Sequence, residues 1–290
     1  MIPNLPNLII PGFPKSGTSS LFNYLSQHPD IFHSKVKEPH TYAFDERYCA
    51  RMNNDCKFNF DEIYKNSDNF KFIPDASTIY MISKKAIKRI KNERAQNLKF
   101  IIVARDPIER IFSHYNWLRM LDYKQEKFKY EIKKENSKFF SPESHIRGNY
   151  KNYIQFSKYG EQIKNLYNLI NKDQVLIVSA ESLKNSFDQT MHNIFKFLEL
   201  KPIKVDKTPS NVTPSIISIR KKTPTKIRRL EKKLNSQLIS DSFLFTKNIK
   251  PKVFNTMDEK LVFGLLEDDL KILSSLDLIF PEWKTVNKYL

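Results

Sequence analysis

A short apolar run, Leu8-Ile9-Ile10, stops at Pro11-Gly12-Phe13-Pro14. A helical pattern with Leu21, Leu25 and His28 at intervals of three and four begins soon after. No other stretch restricts the fold as tightly, because it reads as strand, tight loop and helix. Between strand and helix lie Lys15-Ser16-Gly17-Thr18. Such a loop aims backbone N–H groups and the positive end of a helix at one point, which suits a phosphate. Gly17 permits close approach of the backbone, and Thr18, Ser19 and Ser20 add hydroxyls in the first helical turn. The nucleotide loop G-x-x-x-x-G-K-[ST] would begin at Gly12 and place its second glycine at Gly17, but Thr18 follows where that motif has lysine. The lysine stands before the glycine, at Lys15. An ordinary strand–helix connection with a surface lysine fits the same pattern, so this stretch alone leaves both readings open.

The rest of the chain repeats the alternation. Phe32 to Asp45 (FHSKVKEPHTYAFD) gathers Lys35, Lys37, Glu38 and His40, and Pro39 bars a regular helix through it. Phe70 to Thr78 reads as a short strand ending at Pro74-Asp75. Tyr80 to Glu93 has helical spacing, with lysines on its outer face. Leu98 to Ala104 is nearly all apolar, as a parallel strand covered on both faces should be. It runs into Arg105-Asp106-Pro107, where an Asp cap and a Pro suited to the first helical position open a helix that carries Ser113. Residues 122–150 read as an insert. Asn149 to Ile170 reads as one long amphipathic helix, Val175 to Val178 as a buried strand, and Ser186 to Leu200 and Lys260 to Ser275 as helices. Lys201 to Thr225 reads as a loop, and 201–259 as a basic loop and helical segment near the cleft.

Strands alternating with helices imply an α/β fold of three layers, P-loop-like, with a central, mainly parallel sheet flanked by helices. Ligands of such sheets bind at the carboxyl ends of the strands. Lys15, Glu38, Asp75 and Arg105 all follow strands or sit in loops on that side. The whole chain, 1–290, reads as a single domain. Its net charge of +17 calls for an anionic partner without choosing among nucleotide, glycan, nucleic acid and membrane. Cys49 and Cys56 form no metal or disulfide pattern, and neither a leader nor an apolar span is visible, so a cytoplasmic location is expected.

Two segments together match a known family. PKSGTSSLFNYLSQHP resembles the 5′-phosphosulfate motif of sulfotransferases, and FIIVARDPIERIFSHYN resembles their 3′-phosphate motif. Gly148 to Leu183 is similar to the region that follows in carbohydrate sulfotransferases of the heparan type, and the tail with Asp268, Asp269 and Trp283 is similar to bacterial members. The resemblance implies the donor 3′-phosphoadenosine 5′-phosphosulfate (PAPS), no metal requirement, and a hydroxyl acceptor on a glycan or glycolipid. It implies that Lys15 stabilises the leaving phosphate while Ser16, Gly17, Thr18 and Ser19 cradle it. Arg105 and Ser113 would hold the 3′-phosphate, with Arg220 and Lys221 as further candidates. Glu38, in KEPHTYAFD, matches the family's base; His40 is the alternative base or an acceptor-positioning residue, and Asp75 an acceptor-side residue. The sequence departs from the family in placing Asp45 two residues late, in Ala76 where some heparan-type enzymes have lysine, and in lacking a glycine after Arg220-Lys221.

Two rival functions remain at this level. A P-loop kinase would want its lysine after the glycine and a magnesium site. A non-catalytic polyanion binder would rest on the basic run Lys221 to Lys233. The paired motifs favour the transferase, with no nucleic-acid partner. The charge is also compatible with peripheral contact with an anionic membrane.

Overall fold

The computed structural model describes residues 5–45, 47, 60–93, 97–120, 126–135, 151–207, 217–220, 246–249 and 251–290. Four strands form a parallel sheet: β1 (Leu8–Ile9), β2 (Pro74–Asp75), β3 (Lys99–Ala104) and β4 (Val175–Ser179), in the order β2-β1-β3-β4. Among the described residues the helices in chain order are α1 (Thr18–Leu25), α2 (Phe60–Ile63), α3 (Lys84–Glu93), α4 (Pro107–Met120), α5 (Phe128–Glu135), α6 (Tyr159–Tyr167), α7 (Ala180–Asn185), α8 (Phe187–Phe197), α9 (Thr256–Ser275) and α10 (Lys284–Asn287).

Side chains alternate across a strand, so each strand feeds two cores. Leu8, Ile10, Ile101 and Val103 pack with Leu21 and Leu25 of α1 and Ile194 and Phe195 of α8. Ile9, Phe100, Ile102 and Ala104 pack against α3, α4, α6 and α9 on the other face. The result is a three-layer α/β fold. The chain leaves β1 toward β2 on one side and returns to β3 on the other. The strand order therefore reverses at β1, and a crevice opens between the carboxyl ends of β1 and β3.

Four expectations change in detail. The helix expected over Tyr80 to Glu93 is a 3₁₀ turn, Thr78–Ile82, followed by α3; Ser83 separates them and caps α3 through its hydroxyl, which accepts from Ala86 N at 3.2 Å. The long helix expected over Asn149 to Ile170 is broken within its described part into a 3₁₀ turn, Gln155–Ser157, and α6. Tertiary partners claim its backbone. The Glu135 carboxylate accepts from the N–H groups of Tyr153, Ile154 and Gln155 at 2.6, 3.0 and 3.0 Å, and Asp269 accepts from those of Gly160 and Glu161 at 2.8 and 2.9 Å. The loop expected over Lys201 to Thr225 contains β5 (Ile217–Arg220), paired antiparallel with β6 (Thr246–Ile249). The strand expected over Phe70 to Thr78 is reduced to β2, with a single bridge from Phe72 to Ile31 beside it. Of the insert expected at 122–150, residues 126–135 are described, and α5 there sends Phe128 and Ile132 into the core.

Candidate active site

The β1–α1 loop turns on two left-handed residues, Lys15 (φ 72°) and Gly17 (φ 96°). The second is the N-cap of α1 and costs little as glycine; the first carries some strain. Gly12 has a different reason: a Cβ there would lie 2.2 Å from Thr18 Cγ2, so only glycine lets the loop fold onto its own helix. Phe13 anchors the loop by stacking on Tyr159, ring centroids 3.7 Å apart. The first α1 bond runs from Leu21 N to Gly17 O, 3.1 Å. The N–H groups of Gly17, Thr18 and Ser19 precede it, at the helix end where no intrahelical acceptor exists. These are the N–H groups that the sequence reading offers to an anion.

Lys15 projects from this loop and is largely withdrawn from water. Burial, and then the charge of Arg105, lower its pKa to about 8. Its Nζ lies 5.4 Å from the ring centroid of Trp117. Arg105 follows β3, and its Nη2 is 3.9 Å from Glu109 Oε2, a loose pairing. Asp106 is not its partner, because the Asp106 carboxylate is occupied elsewhere. It caps α4 at Ile108 N (3.0 Å) and accepts from Thr285 N and Val286 N (2.9 and 3.0 Å), which ties down α10. Arg105 and Ser113 line one cleft of about 390 Å³, together with Phe112, Asn116, Phe254 and the carboxylates of Glu109 and Glu259. Ser113 and Trp117 are one turn apart on α4, so the Arg105 cleft and the Lys15 ammonium adjoin on one side of the sheet.

Glu38 reaches the same end of the sheet because Ala76 N, just past β2, donates to Lys37 O at 3.0 Å. The Glu38 carboxylate pairs with Lys37, accepts from Thr78 Oγ1 at 3.2 Å, and lies 3.5 Å from His40 Nε2. His40 has left-handed backbone (φ 55°), held by its N–H donating to Ser77 Oγ at 2.9 Å. Burial lowers its pKa to about 4, opposed by Glu38 and assisted by Arg47 and Lys37, so the ring is neutral near pH 7. Asp75 is fully buried. It accepts from Ser77 Oγ (2.6 Å), Ser77 N (3.1 Å) and Tyr80 OH (2.7 Å), and burial raises its pKa to about 6. Asp75 therefore touches the site through Ser77 rather than directly. Asp45 sits at the surface and pairs with Lys85 and Arg89.

Sequence reading missed Arg110 and Glu135. Arg110 is fully buried, and its guanidinium binds Pro14 O at 3.3 Å, the Tyr153 carbonyl, the Ser157 hydroxyl and His114 Nδ1 at 3.3 Å. It thereby braces the Lys15 loop against α4. Burial lowers its pKa to about 10, and the pKa of buried Glu135 rises to about 7. A signal existed: Arg110, Ser113, His114 and Trp117 recur at helical spacing, a polar stripe beside the apolar one. Of the further phosphate candidates, Arg220 ends β5, and Lys221 lies outside the described residues. Among the described residues no group of three His, Cys, Asp or Glu side chains is arranged to hold a metal ion, and no helix is long and apolar enough to cross a membrane.

The model of the sulfotransferase domain matches residues 5–261. The chain belongs to the sulfotransferase family. The membrane-associated sulfotransferase kil1 of Dictyostelium discoideum is 34% identical over 119 residues, 40% of this chain and 24% of the relative. Carbohydrate sulfotransferase 15 of Homo sapiens is 22% identical over 249 residues, 69% of this chain and 44% of the relative. The heparan sulfate glucosamine 3-O-sulfotransferase 3B1 of Mus musculus is 25% identical over 203 residues, 70% of this chain and 48% of the relative. This sulfotransferase thus spans less than half the length of these curated relatives. Among solved structures, a sulfotransferase from Alicyclobacillus acidocaldarius shares the fold with TM-score 0.66 at 19% identity, covering 97% of this chain and 99% of that one. Mouse sulfotransferase SULT7A1 complexed with PAP superposes with TM-score 0.51 at 12% identity, covering 98% and 89%.

Proposed function

We propose that this sulfotransferase moves the sulfuryl group of PAPS to a hydroxyl of a glycan or glycolipid. The observation that carries the reading is the meeting of two separate cations at the β1–β3 crevice: Lys15 within the field of Arg105, with Ser113 and Trp117 joining them along α4. The N–H groups at the α1 start bind the 5′-phosphate, and Arg105 with Ser113 binds the 3′-phosphate. Arg220 and Lys221 are proposed as a second grip on that phosphate.

Glu38 accepts the acceptor's hydroxyl proton as its oxygen bonds to sulfur. The bond from sulfur to the bridging phosphate oxygen breaks, and Lys15 stabilises the charge growing on that oxygen. The neutral His40 ring holds the Glu38 carboxylate in place or takes the proton in its stead, and Asp75 orients both through Ser77. The names of two relatives favour a sugar acceptor. The membrane-associated relative, with the charge of +17, favours an anionic lipid surface nearby. The test is transfer of labelled sulfate from PAPS to a panel of glycans and glycolipids, read by mass spectrometry. Sulfation lost in Lys15→Ala and kept in chelator supports the reading; sulfation at the native rate in Lys15→Ala refutes it.

A further inference from the structure

The Lys15 ammonium occupies an unusual position for a charged group. It is only partly exposed, and the side-chain charge that lowers its pKa beyond the effect of burial is another cation, Arg105. From α4, Arg110 approaches the same loop through the Pro14 carbonyl and adds no negative charge. A desolvated ammonium in such a place loses its proton readily. The contact that favours its charged form is the face of Trp117, whose centroid lies 5.4 Å from Nζ. An indole face attracts a cation through its quadrupole, and the attraction grows where water is excluded. The position of the indole is fixed by the fold. Trp117 stands one turn beyond Ser113 on α4 and packs against the core on that face of the sheet.

From this geometry we infer that Trp117 is a positioning residue for sulfuryl transfer. Its ring holds the Lys15 ammonium charged and aimed into the crevice until the donor's bridging oxygen takes it over. The inference rests on the role proposed above for Lys15. Trp117 touches no reacting atom; it acts through the lysine.

Two measurements test it on the full chain. The first is the pH profile of kcat/KM for Trp117→Leu and Trp117→Phe beside the native enzyme. Loss of the ring moves the basic limb down by about half a pH unit or more in Trp117→Leu, roughly a threefold loss on that limb, and Trp117→Phe restores part of it. A merely structural loss would lower the whole profile and leave the limb in place. The second needs no change at Trp117: tryptophan emission of the native protein is titrated from pH 6.5 to 9.5 beside Lys15→Met and Trp117→Phe. The other tryptophan, Trp283, is fully buried and gives a common background. A step near pH 8 in the native protein that both variants lack supports the inference. No step, or the same step in Lys15→Met, overturns it. Coincident basic limbs with Lys15→Ala still inactive also sink this inference while leaving the proposed reaction standing. Native turnover in Lys15→Ala sinks the reaction itself.

Discussion

Nucleotide affinity should fall as the pH rises through 8, and one lysine should account for it. Lys15 has its pKa lowered from 10.5 to about 8, first by burial and then by Arg105. A bound phosphate opposes both effects and favours the ammonium. The folded, empty enzyme therefore binds fewer protons at this site than the liganded one above pH 7, so binding takes up a proton and weakens with rising pH. At pH 7 about nine-tenths of the empty sites are charged, at pH 8 about half and at pH 9 about one in eleven. The expected loss of affinity from pH 7 to pH 9 is about tenfold, or about 1.4 kcal/mol, with about half a proton taken up per site at pH 8. An ordinary exposed lysine would lose almost nothing over this range. The assay is calorimetry with adenosine 3′,5′-bisphosphate at fixed ionic strength, in two buffers of different ionisation enthalpy so that proton uptake is read directly. Fixed salt matters because phosphate contacts are screened. Lys15→Ala should bind more weakly throughout and show no such slope. Equal affinity at pH 7 and 9 in the native enzyme, or an unchanged slope in Lys15→Ala, refutes the account of a desolvated lysine beside a second cation.

Other substitutions separate the parts of the site. Glu38→Gln should leave bisphosphate affinity within about twofold and lower turnover by roughly 10²–10⁴-fold, read in the sulfate-transfer assay; unchanged turnover would pass the base role to His40. Arg105→Ala should lose its effect mainly in nucleotide affinity, and calorimetry showing native affinity would remove Arg105 from the phosphate pocket. Ser77→Ala frees the left-handed His40 and one side of buried Asp75, so turnover should fall while bisphosphate affinity holds; equal losses in both would mean a general collapse of the loop. Gly12→Ala forces a methyl to 2.2 Å from Thr18 Cγ2 and should destabilise the protein by about 1–3 kcal/mol in a denaturant titration. A native midpoint there would mean that the loop yields at no cost.

Local chemistry explains why so much of this enzyme is legible in its sequence. The β1 run, the displaced Lys15, the Gly17 cap and the Arg105-Asp106-Pro107 helix start are each written within a few consecutive residues. Periodicity and turn chemistry therefore reveal them directly, and they suffice for the α/β class and for the proposal of two anion-binding loops. The misread helix over 149–170 has a plain cause: long-range partners overrode local periodicity. Ser83 ends the earlier turn by a local bond from Ala86 N, whereas Glu135 and Asp269 take the backbone N–H groups that a continuous helix over 149–170 would have used. No window of sequence contains both members of such a pair.

What the linear chain determined was the set of charged and glycine-bearing loops at strand ends. Only the folded sheet decided which of them share a crevice, because the reversal of strand order at β1 sets the Lys15 loop beside Arg105 and brings α4 between them. Tertiary packing also divided the candidates by role. It sealed Asp75 inside, turned the backbone of His40 to meet Ser77, buried Arg110 against the Pro14 carbonyl, and laid Trp117 against the lysine. The physical reason is that charge is costly to bury. How far each ionisable group is withdrawn from water, and what faces it there, depends on every layer packed around it at once.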